Sequence, residues 1–211
     1  MRFIKMLSFA KKEEQYSNLS NKDIASQIPS KAQERSVFPT IEENVEFIKE
    51  VFGDGIGIVN KELSINKNKN RISLIYIESL TDKKIVSSQI IEPILKEDIA
   101  THFNHADLPD VLITSVIISP KTKITEQMKE VFSGLMRGST IIFVNGTKKA
   151  LIVESREIQN RPIEKPETEV TSLGSLDSLT EDIHTNCNLV SKRLPTPDLR
   201  IKKFSVGRLS Q

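Results

Sequence analysis

An α+β fold, in the wider α/β class, is predicted for this chain as a single lobe in which helices pack on a mixed β-sheet. A dense β-branched run at residues 71–77 is typical of a central strand covered on both faces. The Asn-Gly-Thr turn at residues 145–147 lies between two apolar runs and predicts a hairpin. A capping box at Thr40, followed by apolar residues at helical spacing, predicts a helix. Because a hairpin coexists with strands that alternate with helices, the sheet is expected to be mixed.

Residues 1–39 are predicted to form a disordered polar tail. Residues 11–36 are polar and show no sustained periodicity, so they offer little apolar surface to bury. Residues 1–10 are apolar but interrupted by Lys5, and they lack the apolar run and the small-residue cleavage site of a signal peptide. The alternative for this segment is a weak basic patch that rests on an anionic membrane surface.

A folded lobe is predicted over residues 40–160, and its first helix begins at Thr40. In a capping box, the Thr40 hydroxyl and the Glu43 carboxylate each bond a backbone N–H that the helix leaves unpaired. Gly53 supplies the left-handed residue that ends the helix. The apolar residues between them at helical spacing are Ile41, Val45, Ile48 and Phe52. A loosely alternating segment at residues 58–65 then predicts the first strand.

The middle of the lobe is predicted to continue with a helix and a strand. Thr81 or Asp82 caps the helix that follows the central strand, and Pro93 should kink or divide that helix because it lacks a backbone N–H. The apolar, β-branched residues 111–119 predict a further strand.

The last part of the lobe is predicted to be a helix and a hairpin. Thr125 is expected to open the helix, and Gly138 to end it. Two short strands at residues 140–144 and 150–154 form the hairpin around the Asn-Gly turn. The inward positions of the helix are Met128, Val131, Phe132 and Leu135.

Residues 161–211 are predicted to leave this lobe as an extended arm, a helix and a terminal strand. A capping box at Ser178 and Glu181 starts the helix. The apolar stripe of that helix consists of Leu179, Ile183, Cys187, Val190 and Leu194. The stripe predicts that Cys187 is a small core residue rather than a reactive thiol. Residues 199–206 predict the terminal strand.

The composition argues against several classes of function. The formal net charge is +2, and Lys and Arg alternate with Glu and Asp, so a basic footprint for nucleic acid is not predicted. Trp is absent and only two Tyr occur, which argues against a stacking platform for bases. The single cysteine excludes an intramolecular disulfide and suits a reducing compartment. No apolar run approaches the ~20 residues that a membrane-spanning helix needs.

Catalytic arrangements are scarce, and the chain is not predicted to be an enzyme or to carry a cofactor. Glu167 and Glu169 alternate along the extended arm, which would point their carboxylates to opposite sides. No nucleophile elbow, phosphate-binding loop or dinucleotide fingerprint occurs in the sequence. His102 and His105, together with Asp107, are the one candidate metal site. A solvated polar loop is the preferred interpretation of those three residues, and no metal is predicted.

A series of short motifs runs through most of the chain in one order. It begins with Ile41-Glu42-Glu43-Asn44 and Phe52-Gly53 and continues through residues 74–77, 80–86, 138–146 and 150–153. Its most specific part is the run Ile163-Glu164-Lys165-Pro166-Glu167-Thr168-Glu169, followed by Thr185-Asn186 and Val206-Gly207-Arg208-Leu209-Ser210. The series resembles the N-terminal domain of the A subunit of bacterial spore germinant receptors.

The resemblance implies that certain positions carry the family signature, with structural rather than catalytic roles. These positions are Pro166, Glu167, Thr168, Glu169, Gly174, Glu181, Thr185, Asn186, Gly207 and Arg208. We expect Asn186 and Glu169 to form polar contacts that hold the extended arm against the last helix.

The resemblance also implies a function. Such subunits are non-enzymatic receptor components that lie in the inner membrane of the dormant spore with B and C partner subunits. They respond to small germinants such as amino acids, sugars or nucleosides. Their soluble N-terminal region has two α/β lobes, and a membrane region follows. This chain is therefore expected to be soluble itself and to reach the membrane through the complex or through the C-terminal region.

Two departures from the family pattern leave alternatives open. The chain ends where the first lobe is expected to lead to the second, and the usually basic, glycine-rich loop after Glu169 retains only Gly174. A germinant-receptor subunit or a fragment of one is the leading interpretation. The alternatives are a free-standing soluble adaptor and a non-functional truncated paralogue.

Overall fold

The computed structural model describes residues 28–53, 57–65, 70–96, 105–119, 121–156, 181–194, 199 and 201. The predictions made for residues 1–27 and for the arm at 161–169 lie outside the described residues. So does the predicted terminal strand at 199–206, apart from residues 199 and 201.

The described strands form one five-stranded sheet in the order β1-β2-β4-β5-β3. They are β1 (Ile58–Ile65), β2 (Asn70–Ile77), β3 (Thr122–Thr125), β4 (Thr140–Val144) and β5 (Ala150–Val153). The predicted α+β class, with helices packed on a sheet, is confirmed. The strand directions differ from the mixed sheet expected, because all four strand pairs are antiparallel. The reason is local: residues 111–119 were expected to be a strand, but residues 111–116 are helical, and β3 occupies the sheet edge instead.

Helices cover both faces of the sheet. The α-helices among the described residues are α1 (Ser30–Gln33), α2 (Ile41–Phe52), α3 (Lys83–Ile85), α4 (Glu92–Lys96), α5 (Leu108–Val111), α6 (Met128–Met136) and α7 (Ile183–Arg193). A π-helical segment, Val86–Ile91, joins α3 to α4, and another, Leu112–Val116, extends α5. A short 3-10 turn, His105–Asp107, precedes α5.

The central strand β2 contributes to two hydrophobic cores, one on each face. Ile75 and Ile77 pack with α1, α2 and α6. Ile72 and Leu74 pack on the opposite face with the two π-helical segments and their flanking helices. This split follows the two-residue period of a strand, and it confirms that β2 is covered on both sides.

The lobe begins before Thr40. Ile28, Ala32 and Val37 are almost fully buried, so residues 28–39 do not form part of the predicted disordered tail. Two backbone bonds hold this segment to the start of α6: the N–H of Met128 donates to the Arg35 carbonyl at 2.9 Å, and the N–H of Val37 donates to the Glu126 carbonyl at 2.8 Å. The buried residues are too widely spaced to give a periodic signal, so the sequence pattern missed them.

Helix α2 begins and ends at the predicted residues, but the Glu43 carboxylate bonds the Thr40 hydroxyl where a backbone N–H was expected. The Thr40 hydroxyl oxygen accepts the Glu43 N–H and its hydroxyl donates to the Glu43 carboxylate. Gly53, with φ of 62°, follows the last turn and donates its N–H to the Lys49 carbonyl at 2.8 Å. Both ends of the helix were therefore encoded locally.

A buried asparagine fastens the segment that leads into α2. Asn44 is 1% exposed, and its side-chain amide donates to the carbonyls of Phe38 at 2.8 Å and Thr40 at 2.7 Å. Its Oδ1 accepts the Phe38 N–H at 3.0 Å. The hairpin turn adds a further link, since the Gly146 N–H donates to the Pro39 carbonyl at 2.7 Å. One side-chain amide thus bonds three backbone groups at the start of the helix.

Pro93 does alter the helix that contains it. Asp82 caps the helix through bonds from the N–H groups of Lys84 and Ile85, which confirms one of the two predicted caps. The segment before Pro93 is π-helical. Pro93 has no N–H for the carbonyl four residues earlier, that of Gln89. That carbonyl accepts the Ile118 N–H instead, at 3.1 Å, and so joins the two helical elements of this face.

The prediction of a strand at residues 111–119 is wrong. Leu108, Leu112 and Val116 are buried at a spacing of one helical turn, and residues 108–116 are helical. The β-branched content of the segment concealed this spacing. The helix predicted to open at Thr125 begins at Met128, because Thr125 ends β3. Its predicted inward residues are all buried.

Gly138 ends α6 at a crowded crossing. Its φ is 81°, and a Cβ there would lie 2.4 Å from the Leu80 carbonyl oxygen. The Gly138 carbonyl accepts the hydroxyls of Thr81 and Ser155, each at 3.3 Å. Only glycine fits this position without moving the backbone of residue 80. This agrees with the prediction that Gly138 ends the helix.

Candidate functional site

Three of the ten signature positions lie within the described residues, and all three are at the start of α7. The cap of this helix is Asp182: its Oδ2 accepts the Thr185 N–H at 3.0 Å and also the Thr185 hydroxyl. The Asn186 N–H donates to the Asp182 carbonyl at 3.1 Å. The capping box predicted at Ser178 and Glu181 is therefore wrong, since Glu181 precedes the helix rather than lying in its first turn.

The remaining signature positions lie outside the described residues. They are Pro166, Glu167, Thr168, Glu169, Gly174, Gly207 and Arg208. The contact expected between Asn186 and Glu169 stays a prediction.

The apolar stripe of α7 does not enter either core of the lobe. Ile183 is 52% exposed, Val190 is 38% exposed and Leu194 is 55% exposed. Cys187 is only partly buried, so the expected core position for its thiol is wrong. Among the described residues, neither hydrophobic core contains an α7 side chain.

The candidate metal site lies partly outside the described residues. Across the described stretches, no group of three or more His, Cys, Asp and Glu side chains is placed to hold a metal ion. His105 and Asp107 belong to the 3-10 turn before α5, and His102 lies outside the described residues.

Charged side chains on the described surface form exposed ion pairs rather than an acid–base site. Arg71 bonds Glu42 at 2.7 Å and Glu62 at 3.0 Å, which ties α2 to the edge of the sheet. A backbone hydrogen bond and, next, the Arg71 guanidinium lower the pKa of Glu42. Since both partners are exposed, such pairs contribute little to stability.

A groove of about 500 Å³ beside α6 is a concave feature that the sequence did not predict. We call it the α6 groove. It is lined by Ile28, Lys123, Gln127, Lys129, Glu130, Ser133, Gly134, Arg137, Ser139 and Ile152. These residues come from the N-terminal segment, β3, α6, β5 and the connections at either end of α6, so no short motif marks the groove.

The floor of the α6 groove is built from Gly134 and Ile152. A Cβ on Gly134 would lie 3.0 Å from Cγ2 of Ile152, so α6 crosses β5 closely at this point. Ile152 pairs in register with Lys123 of the edge strand β3. The side chains of these two residues stand on the same face of the sheet, next to α6.

The polar lining has one internal ion pair. The Lys123 ammonium lies 2.6 Å from a Glu130 carboxylate oxygen. Burial raises the pKa of Glu130, but hydrogen bonds from Lys123 and from the Thr125 hydroxyl outweigh it and hold that pKa below its usual value. The Thr125 oxygen in turn accepts the Gln127 N–H at 3.1 Å. The negative charge of Glu130 is thereby balanced by the Lys123 ammonium within the groove wall.

Comparison with known proteins places the chain in a family. Residues 46–211 match the family described as Bacillus/Clostridium GerA spore germination protein. The chain belongs to this GerA family. Over 175 residues it is 24% identical to spore germination protein KA of Bacillus subtilis (strain 168), covering 82% of this chain and 32% of that protein. It is 32% identical to spore germination protein GerQA of Bacillus cereus over 149 residues, covering 70% of this chain and 28% of that protein.

The GerA assignment extends to the fold. The chain is similar to the crystal structure of the N-terminal domain of the A subunit of the Bacillus megaterium spore germinant receptor GerK3, with a TM-score of 0.60 and 21% identity. The match covers 83% of this chain and 63% of that domain. The chain spans about a third of the length of the curated GerA relatives it matches. Among the described helices, none has the length and apolar character to cross a membrane.

Proposed function

We propose that this chain forms part of the N-terminal region of the A subunit of a spore germinant receptor. In this role it acts in nutrient-triggered germination by binding and signalling rather than by catalysis. The observation that carries the proposal is the GerA family match, which extends over residues 46–211. The likeness of its fold to the GerK3 domain supports the same assignment.

The partners we propose are the B and C subunits of the receptor, assembled in the inner membrane of the spore. The stimuli are small germinants: amino acids, sugars or nucleosides. The relatives are spore germination proteins by name. We propose for this chain the same multi-subunit arrangement that the resemblance to germinant receptors implies.

We further propose that α7 is the first helix of a junction with a second lobe. Its apolar residues Ile183, Val190 and Leu194 are exposed, and apolar side chains at helical spacing normally face a partner. The match covers 63% of the GerK3 domain, so that domain has a part to which this chain offers no counterpart.

Deletion of the reading frame tests the receptor role. Spores of the deletion strain should germinate more slowly on at least one class among amino acids, sugars and nucleosides, as followed by the fall in optical density and by the release of ions. Germination at the wild-type rate on all three classes would contradict the proposal.

Complementation separates the receptor from the adaptor alternative. Residues 1–211 expressed alone should fail to restore germination if the chain works as part of a complete A subunit. Full restoration by residues 1–211 would favour the free-standing adaptor. If deletion of the reading frame has no effect on germination, the alternative of a non-functional paralogue is favoured.

A further inference from the structure

We propose that Asn145, at the turn of the hairpin, is a site of spontaneous deamidation by water, and that the docking of residues 38–41 on this turn holds the reaction back. The motif that predicted the hairpin is in this view also a modification site, and its rate of reaction depends on the fold. This chemistry is independent of the proposed function.

The reaction begins at the backbone nitrogen of Gly146. That nitrogen loses its proton to hydroxide and attacks Cγ of the Asn145 side chain. The side-chain nitrogen takes a proton from water and leaves as ammonia, so a five-membered succinimide ring remains. Water then opens the ring at either of its two carbonyl groups, which leaves aspartate or isoaspartate at position 145. No oxidant, reductant or cofactor takes part.

The sequence favours Asn145 as the reactive asparagine. Of all the asparagines in the sequence, Asn145 alone precedes a glycine. Glycine has no Cβ, so its backbone nitrogen approaches a neighbouring side chain with less hindrance than that of other residues. Asn145 is half-buried and Gly146 is exposed, so water reaches the turn. In the unfolded chain, Asn145 should therefore deamidate before the other asparagines.

In the folded chain, both reacting groups are bonded to the segment that leads into α2. The Gly146 N–H donates to the Pro39 carbonyl at 2.7 Å, and the attacking nitrogen has to give up this bond before it reacts. Oδ1 of Asn145 accepts the Ile41 N–H at 3.3 Å, which holds the side-chain amide toward the first residue of the helix. The turn and the segment must therefore separate before the ring can close.

The backbone of the turn is also held in place. The Asn145 N–H donates to the Arg71 carbonyl at 3.0 Å, which fastens the turn to the start of β2. The Val144 carbonyl accepts both the N–H of Thr147 at 3.2 Å and its hydroxyl at 2.9 Å. Ring closure requires rotation of the backbone between the asparagine and the glycine, and these bonds resist that rotation.

Asn44 determines how firmly the docked segment is held. Its buried side-chain amide donates to the carbonyls of Phe38 and Thr40, the two residues on either side of Pro39. Loss of this amide should loosen the carbonyl that binds the Gly146 N–H. Asn44 should therefore control the deamidation of Asn145, although it lies on α2.

A comparison of the folded chain with the same chain in urea tests the proposal. Both samples are incubated at mildly alkaline pH, and mass spectrometry follows the tryptic peptide 138–148, which contains no other asparagine. The folded chain should deamidate at least about tenfold more slowly, because two hydrogen bonds of ordinary strength must first break. Equal rates in the two samples would overturn the proposal, and this comparison needs no variant.

Asn44→Ala tests the docked segment, with circular dichroism to verify that the variant is folded. Deamidation of the folded variant should be about fivefold faster than that of the natural chain, the effect of losing about one hydrogen bond. Hydrogen exchange at the Gly146 amide should accelerate by the same factor, since both reactions need the same opening. Deamidation at the natural rate in the folded variant would overturn the role of the segment.

Ile90→Ala is the matched control. Ile90 is fully buried in the core on the other face of the sheet from α2, so its truncation destabilises the lobe elsewhere. Deamidation of this variant, also verified as folded, should keep the natural rate. An acceleration equal to that of Asn44→Ala would mean that the reaction follows global unfolding, and it would overturn the control by residues 38–41.

Discussion

Helices α2 and α7 follow the same local pattern but lie in different surroundings. Each has a capping side chain, Thr40 for α2 and Asp182 for α7, and each carries apolar residues at helical spacing. In α2 those residues pack into the core against the sheet, whereas Ile183 of α7 and Leu194, which follows its last residue, are more than half exposed. A cap and a periodic stripe therefore encode a helix, but they do not specify which surface covers it.

The difference in burial between α2 and α7 arises from the residues that pack against each helix. The rings of Phe47 and Phe52 on α2 contact the ring of Phe132 on α6, with centroids 5.9 and 5.2 Å apart. The segment before α2 is tied to Asn44 and to the hairpin turn by hydrogen bonds. Among the described residues, neither hydrophobic core of the lobe includes a side chain of α7.

The largest expected effect comes from emptying the core that covers α2. Phe132→Ala should lower the free energy of unfolding by about 4 kcal/mol, because the ring is fully buried between two other rings. Leu194→Ala, directly after α7, should change it by no more than about 0.5 kcal/mol. Urea unfolding of both variants checks this, and equal losses would remove the distinction between the two helices.

Two asparagines give the next comparison. Asn44→Ala should lower the free energy of unfolding by about 2–3 kcal/mol, since it leaves the backbone N–H and carbonyl of Phe38 without their bonds. Asn186→Leu should lower the melting temperature by a smaller amount, through loss of the expected contact with Glu169. Thermal unfolding measures both, and an unchanged melting temperature for Asn186→Leu would refute that contact.

The two caps should have similar local effects and different global ones. Thr40→Ala should lower the free energy of unfolding by about 1 kcal/mol, because α2 is part of the core. Asp182→Ala should weaken α7 by a similar ~1 kcal/mol, seen as faster hydrogen exchange at the Thr185 and Asn186 amides. Urea unfolding of the lobe should remain unchanged in Asp182→Ala, and a shifted midpoint would show that α7 is coupled to the lobe.

The smallest effect is a pH dependence within the lobe. The pKa of Glu130 is lowered in the folded state, so its ionised form stabilises the fold above its ordinary value of 4.5. That contribution is lost as the pH falls below 4.5 and through the lowered folded-state pKa. Glu130→Gln should therefore unfold with a weaker acid dependence than the wild-type chain below pH 4.5 in urea titrations. An identical acid dependence would show that the contact with Lys123 does not contribute.

Local signals predicted the elements whose ends depend on a single residue. Gly53 and Gly138 end helices with positive φ, Asp82 caps one, and Gly146 with φ of 83° turns the hairpin. These residues act through their own backbone or through the next turn of chain, so the sequence alone identifies them.

Elements that depend on distant partners were missed. Residues 108–116 became helical because Leu108, Leu112 and Val116 fit the core beside the sheet, against their β-branched propensity. The short strand β3 exists because β5 offers it an open edge. The α6 groove could not be predicted, since its lining extends from Ile28 to Ile152 and each side chain is ordinary in its own segment.

The strand order also governs how the lobe forms as the chain leaves the ribosome. β1 and β2 pair locally, but the other partner of β2 is β4, and β3 pairs only with β5. One edge of β2 and one edge of β3 therefore stay open until the hairpin at residues 140–153 has been synthesised and inserts between these two strands. Until then the nascent chain exposes apolar strand edges, and the last hairpin is the step that closes them to wrong pairing.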